Sequence, residues 1–146
     1  MSTLKLHPAS LPISDKLQAL LNKNFQRQLA NNESITRTTY LVFNFRDSSY
    51  SYEAGGFHPV EIAVAQTCSG QWNLEYITDF AYVGNVYPEL ERCIDFDFRD
   101  QAFFTEFGGW SPIKGNYSAV EVFELWQDNF LNYIDMEAFD SISITS

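Results

Sequence analysis

The sequence is poor in basic residues, cysteine and histidine, and each shortage narrows what the chain can do. Nine lysines and arginines stand against nineteen acidic residues, so the formal net charge is −10. Duplex DNA and anionic membranes attract basic surfaces, and this balance argues against direct binding of either. The two cysteines have no Cys-x-x-Cys spacing and the histidines are only two. We therefore expect no metal, no cofactor and free thiols at Cys68 and Cys93.

Long apolar runs are also missing. No stretch approaches the about 18 consecutive apolar residues of a membrane-spanning helix, and the first residues lack the apolar segment of a secretory signal. We therefore expect a cytoplasmic protein. The 146 residues are 45% hydrophobic and 16% aromatic, which is typical of one globular domain. Prolines at positions 8 and 12 predict a flexible leader over residues 1–13, followed by a single domain over residues 14–146.

Two helices are predicted, one at each end of the domain. Ser14 is a favourable N-cap, and apolar residues at helical spacing continue from there to about Ala30. Ser118 and Glu121 fit a capping box at the start of a second helix of about 20 residues. The stretch before it, residues 110–116, is predicted to be a loop.

Between the helices the hydrophobic period changes to two, which is typical of strands. Strands are predicted over residues 39–46, 60–65, 72–84, 93–99, 102–107 and, as a short edge strand, 141–145. We expect Trp72, Leu74 and Tyr76 to share one face of the third strand, and Asp95 and Asp97 to point outward from the fourth. Short connections without crossover helices predict the α+β class, an antiparallel sheet of about five to seven strands flanked by N- and C-terminal helices.

Acidic residues are concentrated in the second half of the chain. Residues 74–146 hold fourteen of the nineteen acidic residues and three of the nine basic ones. This asymmetry either marks an interaction surface or keeps an aromatic-rich domain soluble. The candidate binding residues are acidic or aromatic side chains and one histidine, namely Asp95, Asp97, Glu121, Glu124, Asp128, Tyr50, Tyr52 and His58.

Each candidate has a second interpretation. Asp95 and Asp97 could bind a divalent cation, although a solvated sheet face explains them more simply, because no EF-hand or phosphate loop accompanies them. His58 could act as a general base with Glu61 and Asp79 around a cleft. No nucleophile motif accompanies it, so we expect no catalytic residues. The tyrosines could stack on a nucleotide or grip a peptide.

Several segments resemble a family of small uncharacterised proteins from marine gammaproteobacteria that are often carried on genomic islands. The resemblance spans about residues 12–145, and its most distinctive part is the run GGFHPVE at Gly55–Glu61. The matching segments are Val42–Asp47, Ser49–Ile62, Tyr76–Phe80, Pro88–Glu91 and Ile94–Phe98.

The resemblance carries expectations about fold and function. Relatives in that family are similar in fold to an acidic mitochondrial matrix protein that also serves as a receptor for a complement component. That fold is an antiparallel sheet flanked by N- and C-terminal helices, and its members oligomerise. The resemblance implies an oligomer with acidic protein-binding surfaces, and it implies no enzymatic activity.

We therefore expect a non-enzymatic acidic protein-binding module that self-associates through apolar helix faces and captures a basic protein partner. Two alternatives stay open. A nucleic-acid mimic that inhibits a DNA-binding protein would need its carboxylates spaced along one elongated surface. An uncharacterised enzyme would need a cleft around His58.

Overall fold

The structure, a computed structural model, describes residues 3–84 and 86–146, without the side chain of residue 36. All seven strands join one antiparallel sheet in the order β6-β5-β4-β3-β2-β1-β7, which confirms the predicted α+β class. In chain order the elements are α1 (Asp15–Asn31), a short 3₁₀ helix (Glu33–Arg37), β1 (Tyr40–Arg46), β2 (Val60–Gln66), β3 (Trp72–Val83), β4 (Glu89–Asp97), β5 (Ala102–Thr105), β6 (Gly109–Pro112), α2 (Tyr117–Asp135) and β7 (Ser141–Thr145).

Both helices pack on one face of the sheet, called here the covered face. The ring of Phe25 on α1 meets Trp72 of β3 with centroids 6.1 Å apart. The ring of Phe96 on β4 meets Phe123 and Trp126 of α2 at 5.1 and 6.0 Å. Alternate residues of the strands supply the rest of this core, as the period of two predicts, and each fully buried large side chain contributes about 1.5–3 kcal/mol.

A β-bulge in β3 changes which face its later side chains occupy. Glu75 is an extra residue without a partner on β2, between the paired residues Leu74 and Tyr76. Leu74 and Ile77 therefore both lie on the covered face, whereas Tyr76 lies on the opposite face, called here the open face. The prediction that Trp72, Leu74 and Tyr76 share a face is wrong for Tyr76, because strict alternation does not allow for an inserted residue.

A second bulge, in β4, likewise changes which face the side chains beyond it occupy. Asp79 pairs with Ile94, and the next residue of β3 pairs with Arg92, so Cys93 is the extra residue. Cys93 and Ile94 both line a cavity on the covered face. The side chain of Arg92 instead reaches Asp95 on the open face.

Asp95 is buried on the open face, being only 4% exposed, so the prediction that it points outward to solvent is wrong. Its Oδ2 accepts hydrogen bonds from Thr78 Oγ1 at 2.9 Å and Arg92 Nε at 2.7 Å, while Oδ1 has no partner among the described residues. Burial raises the pKa of this carboxyl, against the lowering effect of Thr78 and Arg92. The guanidinium also lies over the rings of Phe104 and Trp110, 5.8 and 5.2 Å from their centroids.

The described part of the predicted leader, residues 3–13, is extended and packed. Leu4 and Leu11 are buried in the core, and the His7 N–H donates to the Trp72 carbonyl at 2.8 Å. The segment contains no helix, as the prolines predict, and these contacts attach the predicted flexible leader to the domain. The first two residues of that leader lie outside the described residues.

The two helices begin at polar caps. Ser14 caps α1 as predicted, its Oγ accepting from the Leu17 N–H at 3.1 Å. The capping box predicted at Ser118 is wrong, because Asn116 caps α2 and its Oδ1 accepts from the Ala119 N–H at 3.1 Å. Within the described residues, no helix is long and apolar enough to cross a membrane.

The edges of the sheet are β6 and β7. The edge strand predicted near the end of the chain is confirmed as β7, which pairs with β1. The predicted loop over residues 110–116 is wrong in its first part, because residues 110–112 belong to β6 and pair with β5. Four residues are too few to show a period, so only the pairing reveals this strand.

Replacing Arg92 by methionine would leave the buried Asp95 carboxylate without its cation. We expect Arg92→Met to lower the free energy of unfolding by about 2 kcal/mol, less than for a wholly buried pair because Arg92 is itself half-exposed. The double variant Arg92→Met/Asp95→Asn should recover most of that loss. Urea unfolding measures both effects, with the exposed Arg99 changed to methionine as the matched control. An equal loss in the two arginine variants would contradict the role of the ion pair.

Candidate functional site

A cavity of about 340 Å³ lies between α2 and the covered face of the sheet. Its walls are mostly apolar and aromatic, and three polar side chains meet at one end, those of His58, Asp79 and Cys93. This size and composition suit a small ligand or an inserted side chain. One face of α2 forms a wall, through Val122, Leu125, Trp126, Asn129, Phe130 and Tyr133.

Asp79 holds the polar end of the cavity together. Its Oδ1 contacts His58 Nδ1 at 2.7 Å, and its Oδ2 accepts a hydrogen bond from Trp126 Nε1 at 3.1 Å. Because an ionised carboxylate can only accept, Nδ1 of His58 carries the hydrogen. The other ring nitrogen, Nε2, has no partner among the described residues. The pair therefore leaves one imidazole nitrogen available to a ligand.

The environment of His58 favours its protonated form. The hydrogen bond to Asp79 raises the pKa of the imidazole, and partial burial opposes this. The side chain of His58 is 42% exposed, whereas that of Asp79 is 15% exposed. His58 is thus the accessible member of the pair, and Asp79 orients its ring.

Cys93 is the third polar group, although it is far from His58 in the sequence. One nitrogen, oxygen or sulfur atom from each of His58, Asp79 and Cys93 lies within 4.8 Å of the other two. The thiol donates to Glu106 Oε2 at 3.7 Å. Burial raises the pKa of this thiol to about 11, and the charges of Asp79 and Glu106 add to the effect. The neutral thiol is a poor nucleophile, whereas the three groups together are possible metal ligands.

A tight loop before β2 positions His58. Gly56 has a φ of +130°, and a Cβ there would lie 2.9 Å from Asp47 Oδ2 and 3.1 Å from Tyr50 Cα. The same carboxylate oxygen accepts the N–H of Phe57 at 3.1 Å. Only glycine allows this close approach, which helps to place His58, two residues later, in the site.

Tyr50 and Tyr52, both predicted to bind a partner, have different environments. Tyr52 is 50% exposed. The hydroxyl of Tyr50 accepts the Tyr82 N–H at 3.1 Å, and its ring lies 5.4 Å from that of His58. Tyr50 therefore supports the position of His58.

The structure brings together two of the three residues considered for a general-base site. His58 and Asp79 meet, but Glu61 does not join them. Its Oε2 accepts from the Tyr76 hydroxyl at 3.2 Å on the open face. Val60, one residue earlier, is buried on the covered face, and side chains alternate along a strand.

The five candidate acidic residues lie on two opposite sides of the molecule. Asp95 and Asp97 belong to the open face of β4, whereas Glu121, Glu124 and Asp128 are exposed on α2, which packs on the covered face. They form no single row of carboxylates. This separation disfavours the nucleic-acid mimic, which depends on such a row.

Gly56 gives a test of how the loop is held. We expect Gly56→Ala to lower the free energy of unfolding by about 2 kcal/mol, because the new methyl meets the backbone at a φ that other residues rarely adopt. Gly55→Ala is the matched control, since Gly55 also has a positive φ but open space around its Cβ position. Chemical denaturation measures the loss, and NMR of the imidazole checks the His58–Asp79 hydrogen bond. Equal losses in both variants would refute the close approach.

Asp47 makes the same loop sensitive to acid. Hydrogen bonds from the Ser49 side chain and the Phe57 backbone lower the pKa of its carboxyl. Because the folded pKa lies below the unfolded one, the carboxylate stabilises the fold above the unfolded value, and this contribution is lost as pH falls through the folded value. We expect Asp47→Asn to be less stable than the native chain at neutral pH and equally stable near about pH 2. Thermal unfolding across pH measures this difference between Asp47→Asn and the native chain, and the control Glu53→Gln, at an exposed position of the same loop, should not reproduce it.

Comparison with known proteins confirms the resemblance in family and fold. The family described as "Protein of unknown function (DUF2787)" matches residues 15–145. The hypothetical protein VC0508 from the VSP-II pathogenicity island of Vibrio cholerae has a similar structure, with a TM-score of 0.91 and 53% sequence identity over 97% of this chain and 98% of that one. No curated protein matches the chain.

A second solved structure is that of the conserved hypothetical protein VC1805 from pathogenicity island VPI-2 of Vibrio cholerae O1 biovar eltor. It is 54% identical over 96% of this chain and 99% of that one, with a TM-score of 0.82. That protein is described as sharing structural homology with the human P32 protein.

Proposed function

The chain belongs to the DUF2787 family, a family of unknown function, and on that premise we propose that it is a non-enzymatic protein-binding module. In this proposal a partner inserts one apolar side chain into the cavity beside His58, and basic residues of the partner lie against the acidic residues of α2. The cavity is the observation that carries the proposal, because it combines apolar walls with one available imidazole nitrogen.

The polar end of the cavity is built for hydrogen bonding more than for catalysis. Both oxygens of Asp79 already accept hydrogen bonds, from His58 and Trp126. The Cys93 thiol donates to Glu106. Among the described residues that line the cavity, none is a serine, threonine or lysine. The site therefore orients an imidazole without supplying an activated nucleophile.

The residues around the mouth of the cavity favour a protein partner that carries positive charge. Leu125, which is 64% exposed, lies at the rim. Glu121, Glu124 and Asp128 are exposed on the same helix. A buried anchor surrounded by complementary charge is the usual arrangement of a protein interface. The apolar anchor supplies specificity in this arrangement, and the acidic helix attracts the basic partner.

Self-association stays a prediction. The helix faces that we expected to associate are packed on the sheet within one chain, with Leu21, Phe25 and Phe123 all buried. Leu125 and Met136 remain exposed on and just after α2. Size-exclusion chromatography with light scattering checks the oligomeric state, and a strict monomer would count against self-association.

Two peptides of equal charge test the binding proposal. Acetyl-Lys-Lys-Phe-Lys-Lys-amide offers an anchor, and the same peptide with alanine in place of phenylalanine does not. We expect the first to bind with a Kd of about 1 mM, as suits a single anchor. Its binding should shift the NMR signals of Trp126 Nε1–H and His58. Equal shifts with both peptides, or shifts confined to residues outside the cavity, would overturn the proposal.

A filled cavity provides the control. Val122→Trp places a large ring in the cavity and should abolish the response to the phenylalanine peptide. Asn132→Trp adds the same ring at an exposed position of α2 outside the cavity. This variant should still bind the phenylalanine peptide. Retained binding in Val122→Trp would also contradict the proposal.

A further inference from the structure

The polar end of the cavity holds three different kinds of metal-ligating atom. An imidazole nitrogen of His58, a carboxylate oxygen of Asp79 and the sulfur of Cys93 all lie within 4.8 Å of one another, and all three residues are partly buried. We propose that His58, Asp79 and Cys93 form a binding site for a divalent transition metal of the zinc class. This inference goes beyond the proposed function, because it requires no partner in the cavity.

The chemistry of the three ligands selects the metal. Sulfur and imidazole nitrogen suit zinc and its neighbours in the transition series, whereas magnesium and calcium prefer sites made of oxygen alone. Zinc bonds of about 2.0–2.3 Å place neighbouring ligand atoms of a tetrahedron about 3.5 Å apart. His58 Nδ1 and Asp79 Oδ1 are now 2.7 Å apart, and the Cys93 sulfur lies within 4.8 Å of a ligand atom of each residue. In the proposed site the side chains rotate so that all three atoms reach that spacing.

The surroundings support the first ligands. Trp126 Nε1 donates to Asp79 Oδ2 at 3.1 Å, which fixes the carboxylate. Its Oδ1, which now accepts from His58 Nδ1, becomes a metal ligand when the metal replaces that hydrogen. Such outer hydrogen bonds are typical of metal sites. Glu106, which now accepts from the Cys93 thiol, adds negative charge beside the site. On metal binding the thiol proton leaves to solvent, and so does the hydrogen on His58 Nδ1, while solvent supplies a hydrogen to Nε2, so that the imidazole binds as the neutral ring.

The bulge in β4 has a use in this arrangement. Strict alternation would place Cys93 on the open face with Asp95, away from His58. The inserted residue puts the sulfur on the covered face instead, where it lines the cavity. Bulges often re-aim one side chain in this way beside a functional site. Three protein ligands leave a fourth position facing the cavity, where water or a group on a ligand can bind.

Cobalt(II) is the probe that tests the site, because it replaces zinc and gives a visible spectrum. The chelator-treated, reduced full-length chain should bind one cobalt ion and show a thiolate-to-cobalt charge-transfer band together with tetrahedral d–d bands. Zinc should displace the cobalt, and magnesium or calcium should not. A chain that develops neither band at any cobalt concentration would overturn the proposal.

Matched variants assign the ligands. Cys93→Ser should lose the charge-transfer band, whereas Cys68→Ser, at the exposed cysteine, should keep it. His58→Gln removes a direct ligand and should weaken cobalt binding by more than the about 10–100-fold that loss of an outer hydrogen-bond partner costs, and His7→Gln should leave it unchanged. Loss of the charge-transfer band in Cys68→Ser, or its retention in Cys93→Ser, would contradict the assignment. His58→Gln changes a partly exposed loop residue, so it tests the site even where Cys93→Ser affects folding.

The two proposals fail separately. The peptide titration, repeated with excess chelator, examines the cavity without any metal, and the cobalt titration uses no peptide. Loss of peptide binding alone would remove the proposed function and leave the metal site. Absence of cobalt binding alone would remove the metal site and leave the proposed function.

Discussion

The site depends on one partly buried carboxylate, that of Asp79. Asp79 lies on the covered face of the sheet, where an ionised group is costly unless donors satisfy its oxygens. One donor, Trp126 Nε1, comes from α2, and the other, His58 Nδ1, comes from the loop before β2. This requirement fixes the helix and the loop relative to β3. The cavity lies between this helix, this loop and the covered face of the sheet.

The residues of the run GGFHPVE build the loop that brings His58 to that carboxylate. Gly56 allows the loop to approach Asp47 and Tyr50, and Phe57 packs on Tyr133 with ring centroids 4.8 Å apart. His58 then reaches Asp79, and the chain enters β2. A motif without any catalytic signature can therefore still form part of a site, because it holds the side chain of His58 in one orientation against Asp79.

Periodicity and short connections were enough to predict the helices, most strands, the antiparallel sheet and the α+β class. The bulges at Glu75 and Cys93 were not predictable, because nothing local in the sequence marks an inserted residue and its effect appears only through strand pairing. Each insertion reverses the faces assigned by alternation. Asp79 and His58 could be named from the sequence as a possible pair, but the meeting of Cys93 with them could not.

The acidic second half of the chain illustrates a related limit. Acidic residues of β4 and α2 are close in sequence, yet the sheet lies between them, so they charge both sides of the molecule. If the chain binds a basic partner as proposed, a field spread in this way would raise the rate of encounter without choosing an orientation. In the proposed function, the orientation of the partner comes from the cavity beside His58. A metal ion there would add positive charge next to Asp79 and Glu106, and the cavity would then favour a ligand whose lone pair points at that ion.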